Sequence, residues 1–277
     1  MDCDSDGART ATGAEAYCVD CMPVSAKGVR LTSDELDSSL AGRAGNILWD
    51  DAGRTELSGL LSGLATTSFE ADGIRRVLDR TITPENWRVG EALAEAFLVD
   101  HRNCTFPWPA GRDLKTPTAS PAGTDLVGFR VVDGSSEAYR FAFGEVKTSD
   151  QEQWPPSVMF GRHGMVGQIE ALRDSTETKD DLVRYLGHHA KSALWQGHYV
   201  SATKRYLNDP QDVSLFGILV RDVGDKPDDL SGRAKSLAQG CPQSTSIELR
   251  AIYLPSKCIC SLATRATGLR GSRNGNN

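Results

Sequence analysis

Gly123-Thr124-Asp125-Leu126-Val127-Gly128-Phe129 and Phe143-Gly144-Glu145-Val146-Lys147-Thr148-Ser149 are the two stretches on which the fold turns. Asp125 to Val132 and Tyr139 to Lys147 are short runs rich in aromatic and β-branched residues, joined through Asp133-Gly134-Ser135-Ser136-Glu137. That pattern predicts a β-hairpin. With a symmetric loop over 133–137, Val132 opposes Ala138, and counting back along both strands sets Asp125 across from Glu145. Opposed residues of an antiparallel pair share a face, with Cβ atoms about 5 Å apart. Strand alternation adds Lys147 to that face, together with Tyr139, Phe141 and Phe143. The charges therefore continue an apolar row into a partly buried place. Two facing carboxylates repel unless a proton or cation lies between them, and a buried charge needs a partner or a metal. The pattern suits Mg²⁺, a hard ion that takes one or two carboxylates plus water and phosphate oxygens. The plain alternative is a solvated strand face, where such residues are common.

Upstream, Thr83-Pro84-Glu85 reads as a helix start, with Thr as the cap and Pro at the first helical position. The helix is predicted to run to about Val99. At about 100° per residue, Val89, Leu93, Ala94, Ala96, Phe97 and Leu98 form its apolar arc. Glu91 falls at the edge of that arc and could supply a third oxygen ligand. Glu95 falls further out beside Arg88, as an exposed ion pair. Downstream, Asn103 to Pro121 reads as a loop with a short strand near Cys104–Trp108. A second loop carries Trp154-Pro155-Pro156. Helices are predicted over Met165–Arg173 and between Asp181 and Leu207, and strands over Ser214–Val220 and Ile247–Leu254. The fold class is α/β, a mixed sheet with helices packed on it. Leu57, Leu60, Leu61 and Leu64, then Ile74, Val77 and Leu78, give residues 30–80 weak helical patterning. The first twenty or so residues read as a flexible leader and Gly268 to Asn277 as a disordered tail. The chain so divides into an N-terminal region over 1–80, a main domain over 81–265 and a tail over 266–277.

Composition narrows the function classes. The chain has 277 residues, 39% hydrophobic and 25% charged, enough for a sizeable core. It has no apolar run of the ~18 residues a membrane span needs. The acidic start, Met1-Asp2-Cys3-Asp4, lacks a signal-peptide layout, and the expectation is a cytoplasmic protein. Among seven cysteines only Cys18/Cys21 has zinc-knuckle spacing, and no second pair completes it. A net charge of −6 argues mildly against nucleic acid. From Arg184 to Tyr206, however, there is no acid, while Arg184, Lys191, Lys204 and Arg205 alternate with Tyr185, Trp195, Tyr199 and Tyr206. Such a segment is either a phosphate-facing surface or amphipathic helices with core aromatics. His188 and His189 are adjacent and point about 100° apart on a helix, poorly placed to share one ion. Neither a GxSxG elbow nor a phosphate-binding Gly loop is present.

The two opening stretches resemble the active-site signature of the PD-(D/E)xK nuclease superfamily, with Thr124 where a Pro often stands. Gly90-Glu91-Ala92-Leu93-Ala94-Glu95-Ala96-Phe97-Leu98 is similar to that superfamily's first core helix. Gln168 resembles a helix Gln placed beside substrate in some branches. The likeness spans residues 84–175 and implies a restriction-endonuclease-like core over 81–265, to which the patterning of residues 30–80 adds a small helical N-terminal region. It implies that Asp125, Glu145, the Val146 carbonyl and Glu91 hold Mg²⁺, with Mn²⁺ able to substitute. Lys147 would position or help deprotonate the attacking water, and Gln168 would hydrogen-bond water or phosphate. Arg162 and His163, on the loop after the second acidic motif, would either contact the nucleic-acid backbone or simply anchor that loop, and the charge pattern adds Lys191, Lys204 and Arg205 as further candidate contacts. A narrower likeness is to the nuclease subunit of Hachiman-type antiphage defence systems. It rests on Asn86-Trp87-Arg88-Val89-Gly90-Glu91, the two acidic motifs, and Pro155-Pro156-Ser157-Val158-Met159-Phe160-Gly161-Arg162-His163-Gly164-Met165. This implies DNA as target and a helicase partner encoded nearby. Two other readings of the same scaffold are a non-catalytic nucleic-acid-binding adaptor and a small-molecule phosphodiesterase.

Overall fold

The computed structural model describes residues 8–78, 83–113, 123–132, 134 and 137–274. The chain opens with a hairpin of β1 (Ala14–Cys21) and β2 (Val24–Arg30), followed by α1 (Ser33–Ala41), α2 (Arg43–Leu48), α3 (Asp51–Ser62) and α4 (Ser68–Leu78). Next come α5 (Asn86–Arg102), β3 (Cys104–Thr105), β4 (Leu126–Val131) and β5 (Tyr139–Ser149). Three helices, α6 (Met165–Asp174), α7 (Thr176–Ala190) and α8 (Gln196–Asn208), carry the chain to β6 (Val213–Arg221). After it come α9 (Ser231–Ala238), β7 (Ser246–Tyr253) and α10 (Leu262–Asn274).

The strands form one mixed sheet in the order β1-β2-β7-β6-β5-β4-β3. β2, β7, β6 and β5 run parallel, and antiparallel strands flank them on both sides. β6 is buried along its whole length, as expected for a central parallel strand covered on both faces. One face packs Leu93 and Phe97 of α5 against Phe216 and Ile218. The other packs Met165 and Ile169 of α6 against Phe141, Phe143, Leu215 and Leu219. The α/β class holds, with helices on both sides of the sheet.

The β4–β5 register is the expected one. Leu126 pairs with Gly144 and Phe129 with Phe141, and the Val132 N–H donates to the Ala138 carbonyl at 2.8 Å. Loop residues 133, 135 and 136 lie outside the described residues, as do 114–121 of the expected Asn103–Pro121 loop.

Three expectations need correction. The leader is a strand from Ala14 onward. Its alternation is interrupted by a register shift between Glu15 and Tyr17, which hides the period from the sequence. The β1–β2 hairpin extends the sheet through β7, so the N-terminal region and the main domain share one sheet. The tail continues as α10 to Asn274, held by Arg265 on Asp37 and Arg270 on Asp51. Finally, α5 begins at Asn86, not at Pro84, and its Glu85 cap position makes no side-chain cap. Asn86 instead accepts the Ala263 N–H at 2.9 Å, tying the helix start to α10.

Candidate active site

The acidic motifs meet where β4 begins and β5 nears its end. Asp125 sits one residue before the β4 ladder, and its Oδ2 accepts the Val146 N–H at 2.8 Å. This bond locks the carboxyl onto the neighbouring strand. Glu145, on the opposed position, is 1% exposed. Its Oε1 accepts from Lys147 Nζ at 2.6 Å, while Oε2 is buried and faces only the Asp125 carboxyl. The Lys147 ammonium stands at the rim, partly exposed. Strand alternation delivers this ion pair, since residues two apart share a face.

Glu91 arrives from α5. The helix can approach β5 because residue 90 is Gly: a Cβ there would lie 2.1 Å from Thr148 Oγ1. Arg88 Nη1 donates to Glu91 Oε2 at 3.2 Å. The expected pair was Arg88 with Glu95, and the structure overturns it. Residues three apart on a helix are neighbours as much as those four or seven apart, and Arg88 turns toward the buried rim. Glu95 is not a surface residue either. It is partly buried and lines a cleft of about 1280 Å³ together with Trp49, Asp50 and Arg112.

The electrostatics link these acids in series. Burial, then the Asp125 charge, pushes Glu145 up to about 8 against the pull of Lys147. Asp125 is raised by burial, with the Val146 N–H and Lys147 opposing. Burial and then Asp125 push Glu91 up to about 7, and burial and then Glu91 push Glu95 up to about 8. Each acid penalises ionisation of the next, and Arg88 and Lys147 are the cations that offset them. Among the described residues no three His, Cys, Asp or Glu side chains form a ready-made metal cluster. The donor set nevertheless fits a hard cation. An orphaned, buried carboxylate oxygen on Glu145 stands beside a second carboxyl, Asp125, and charge is in excess on the acidic side. A divalent ion relieves both defects.

Gln168 lies on α6, partly buried, with a buried Oε1 that lacks a partner. Met165, at the start of that helix, lies at the missing Cβ of Gly217, which is paired in register with Glu145. The helix therefore begins at the level of the acidic pair. Arg162 and His163 are exposed on the loop entering α6.

The basic segment divides. Trp195 packs on Phe129, and Tyr199 and Tyr206 pack on Phe141, so these aromatics serve the core. Arg205 is not a free phosphate contact, because Asp212 holds it and is shared with Arg140 at 3.1 Å. Lys191 and Lys204 are exposed. Ser201 of α8 takes the Tyr139 N–H, so this helix docks at the start of β5, about 26 Å along the strand from Lys147 at ~3.3 Å per residue. The structure does not bring Lys204 and Arg205 to the acids. His189 stacks on Trp108 at 4.1 Å between ring centroids.

Sequence reasoning missed Arg88 as the partner of Glu91, and Glu95 as a partly buried acid. The signal for Glu95 was its i, i+4 relation to Glu91; what hides it is the cover over the cleft by α2, α3 and α10, which no local pattern states. No family model matches the chain, and no curated protein matches it.

Proposed function

We propose that the chain is a metal-dependent nuclease that hydrolyses DNA phosphodiester bonds, and that it is the effector subunit of an antiphage defence complex with a helicase partner. The chemistry rests on one observation: Glu145 is buried with one oxygen on Lys147 and the other orphaned beside Asp125. The partner and the defence role rest on the likeness carried by residues 86–91, the Asp125 and Glu145 motifs, and residues 155–165.

Asp125, Glu145, the Val146 carbonyl and Glu91 would hold Mg²⁺ or Mn²⁺. Such an ion supplies Lewis-acid charge stabilisation and a more acidic water. Around it the chain does the positioning. Asp125 is oriented by the Val146 N–H, and Glu145 by Lys147. The Lys147 ammonium, partly exposed at the rim, would orient a water and hold a proton near the phosphate. Arg88 keeps Glu91 turned inward. The unpartnered Gln168 Oε1 is available to accept a hydrogen bond from water.

The test is cleavage of plasmid and linear duplex DNA with Mg²⁺ or Mn²⁺, with and without the product of the neighbouring gene. Glu145→Ala and Lys147→Ala are each expected to reduce cleavage at least about 100-fold, the usual cost of removing one transition-state contact. A folded protein that binds nucleic acid but cuts nothing under either condition would make the adaptor reading correct.

A further inference from the structure

The loop between β5 and α6 sets two aromatic rings against cations. Lys226 Nζ lies 3.7 Å from the Trp154 ring centroid, and the Arg233 guanidinium lies 4.8 Å from that of Phe160. Phe160 is 48% exposed although it follows Met159, which is fully buried. The loop is tightly wound around it. Ser157 N–H donates to Gln151 Oε1 at 2.7 Å, Phe160 N–H to the Ser157 carbonyl at 3.0 Å, and Gly164 N–H to the Gly161 carbonyl at 3.1 Å. Gly161 has φ +78°, and a Cβ on Gly164 would lie 2.1 Å from the Phe160 carbonyl oxygen. A large apolar ring thus stands half in water on a loop whose backbone is fixed by these hydrogen bonds.

The cation beside that ring is uncompensated. Among the described residues the Arg233 side chain has no ion-pair or hydrogen-bond partner, and its Nε is buried without one. Arg162 and His163 are exposed two and three residues beyond Phe160. The loop follows Ser149, where the strand bearing Glu145 and Lys147 ends, while Arg233 reaches Phe160 from α9. An exposed ring with unneutralised guanidinium groups matches a ligand that offers flat bases and phosphates together.

Resting on the nuclease reading, we infer that this loop is a track for a nucleic-acid strand with unpaired bases. Phe160 stacks one base, and Arg162 and Arg233 take the flanking phosphates. A continuous duplex keeps its base faces covered by its own stacking, so the ring contact selects a single strand, a flap or a frayed end.

The experiment uses the full chain carrying Lys147→Ala, in EDTA, with a fluorescent single-stranded oligonucleotide and its blunt duplex. Phe160→Ala is expected to weaken single-strand binding roughly 10-fold or more, the usual cost of losing one stacked base, and to leave duplex binding within about twofold. Phe160→Tyr should restore it, and Arg233→Gln should flatten the salt dependence by about one charge. Unchanged single-strand binding in Phe160→Ala, equal loss for both substrates, or no binding of either by the parent protein would each overturn the track. Cleavage by the otherwise wild-type chain is scored separately. A Phe160 effect without metal-dependent cleavage keeps the track and discards the nuclease; cleavage without a Phe160 effect does the reverse.

Discussion

Glu95 shows how strongly a single side chain depends on what covers it. Its carboxyl is pushed from 4.5 to about 8 by burial and by Glu91. A carboxyl whose folded pKa lies above its unfolded one binds more protons when folded at intermediate pH. Its favourable contribution is complete below about 4.5, falls as pH rises, and is gone above about 8. The metal-free protein should therefore melt at lower temperature at pH 8 than at pH 5, and Glu95→Gln should flatten that slope. Identical slopes in melts at matched ionic strength would sink this. Glu248 presents the opposite case. Burial works to raise its pKa, but Arg102, Arg130 and Arg250 outweigh it and hold it below the ordinary value. Glu248→Gln would leave these guanidinium groups unbalanced beside the core, and urea unfolding should show a loss of about 3–5 kcal/mol.

At the scale of elements, the approach of α5 to β5 decides whether Glu91 reaches the acidic pair. That approach depends on Gly90 lying over Thr148. Gly90→Ala should cost about 1–3 kcal/mol through overpacking, although Ala is the better helix former. Thr148→Ala in the same chain removes the Oγ1 in the way, so a double-mutant cycle should return a favourable coupling of about 1 kcal/mol or more. Strictly additive effects would show that the contact is not the constraint. The β4–β5 hairpin was legible because its signals are local: period-two patterning and a symmetric turn set the register before any packing is known. The edge strand β1 was not, since a bulge breaks its period and most of its side chains are exposed or half-exposed. The start of α5 was misplaced because Thr83-Pro84 imitates a cap, whereas Asn86 is held from outside by Ala263.

For the whole molecule, the β1–β2 hairpin closes the sheet beside β7. Val24 and Ala26 of β2 are fully buried against it. Tyr17 of β1 meets the Tyr253 hydroxyl at 3.0 Å, and Tyr253 donates to Asp229, the partner of the buried Arg221. A chain beginning at residue 81 would open the apolar edge of β7 and wet that network. It is expected to show no cooperative thermal transition by circular dichroism, while the full chain does. A sharp melt of the shortened chain would establish that the first eighty residues are dispensable to the fold.

From chain order alone came the α/β class, the hairpin and its register, and the opposition of Asp125 to Glu145 with Lys147 on the same face. Those follow from backbone periodicities that each residue carries regardless of its distant neighbours. Tertiary packing decided the rest. It turned Arg88 to Glu91 and half-buried Glu95 in a cleft. It also neutralised Arg205 with Asp212 and, among the described residues, left Arg233 without a counterion beside an exposed Phe160. Burial and charge pairing are sums over elements far apart in the chain, and for that reason no local pattern could state them.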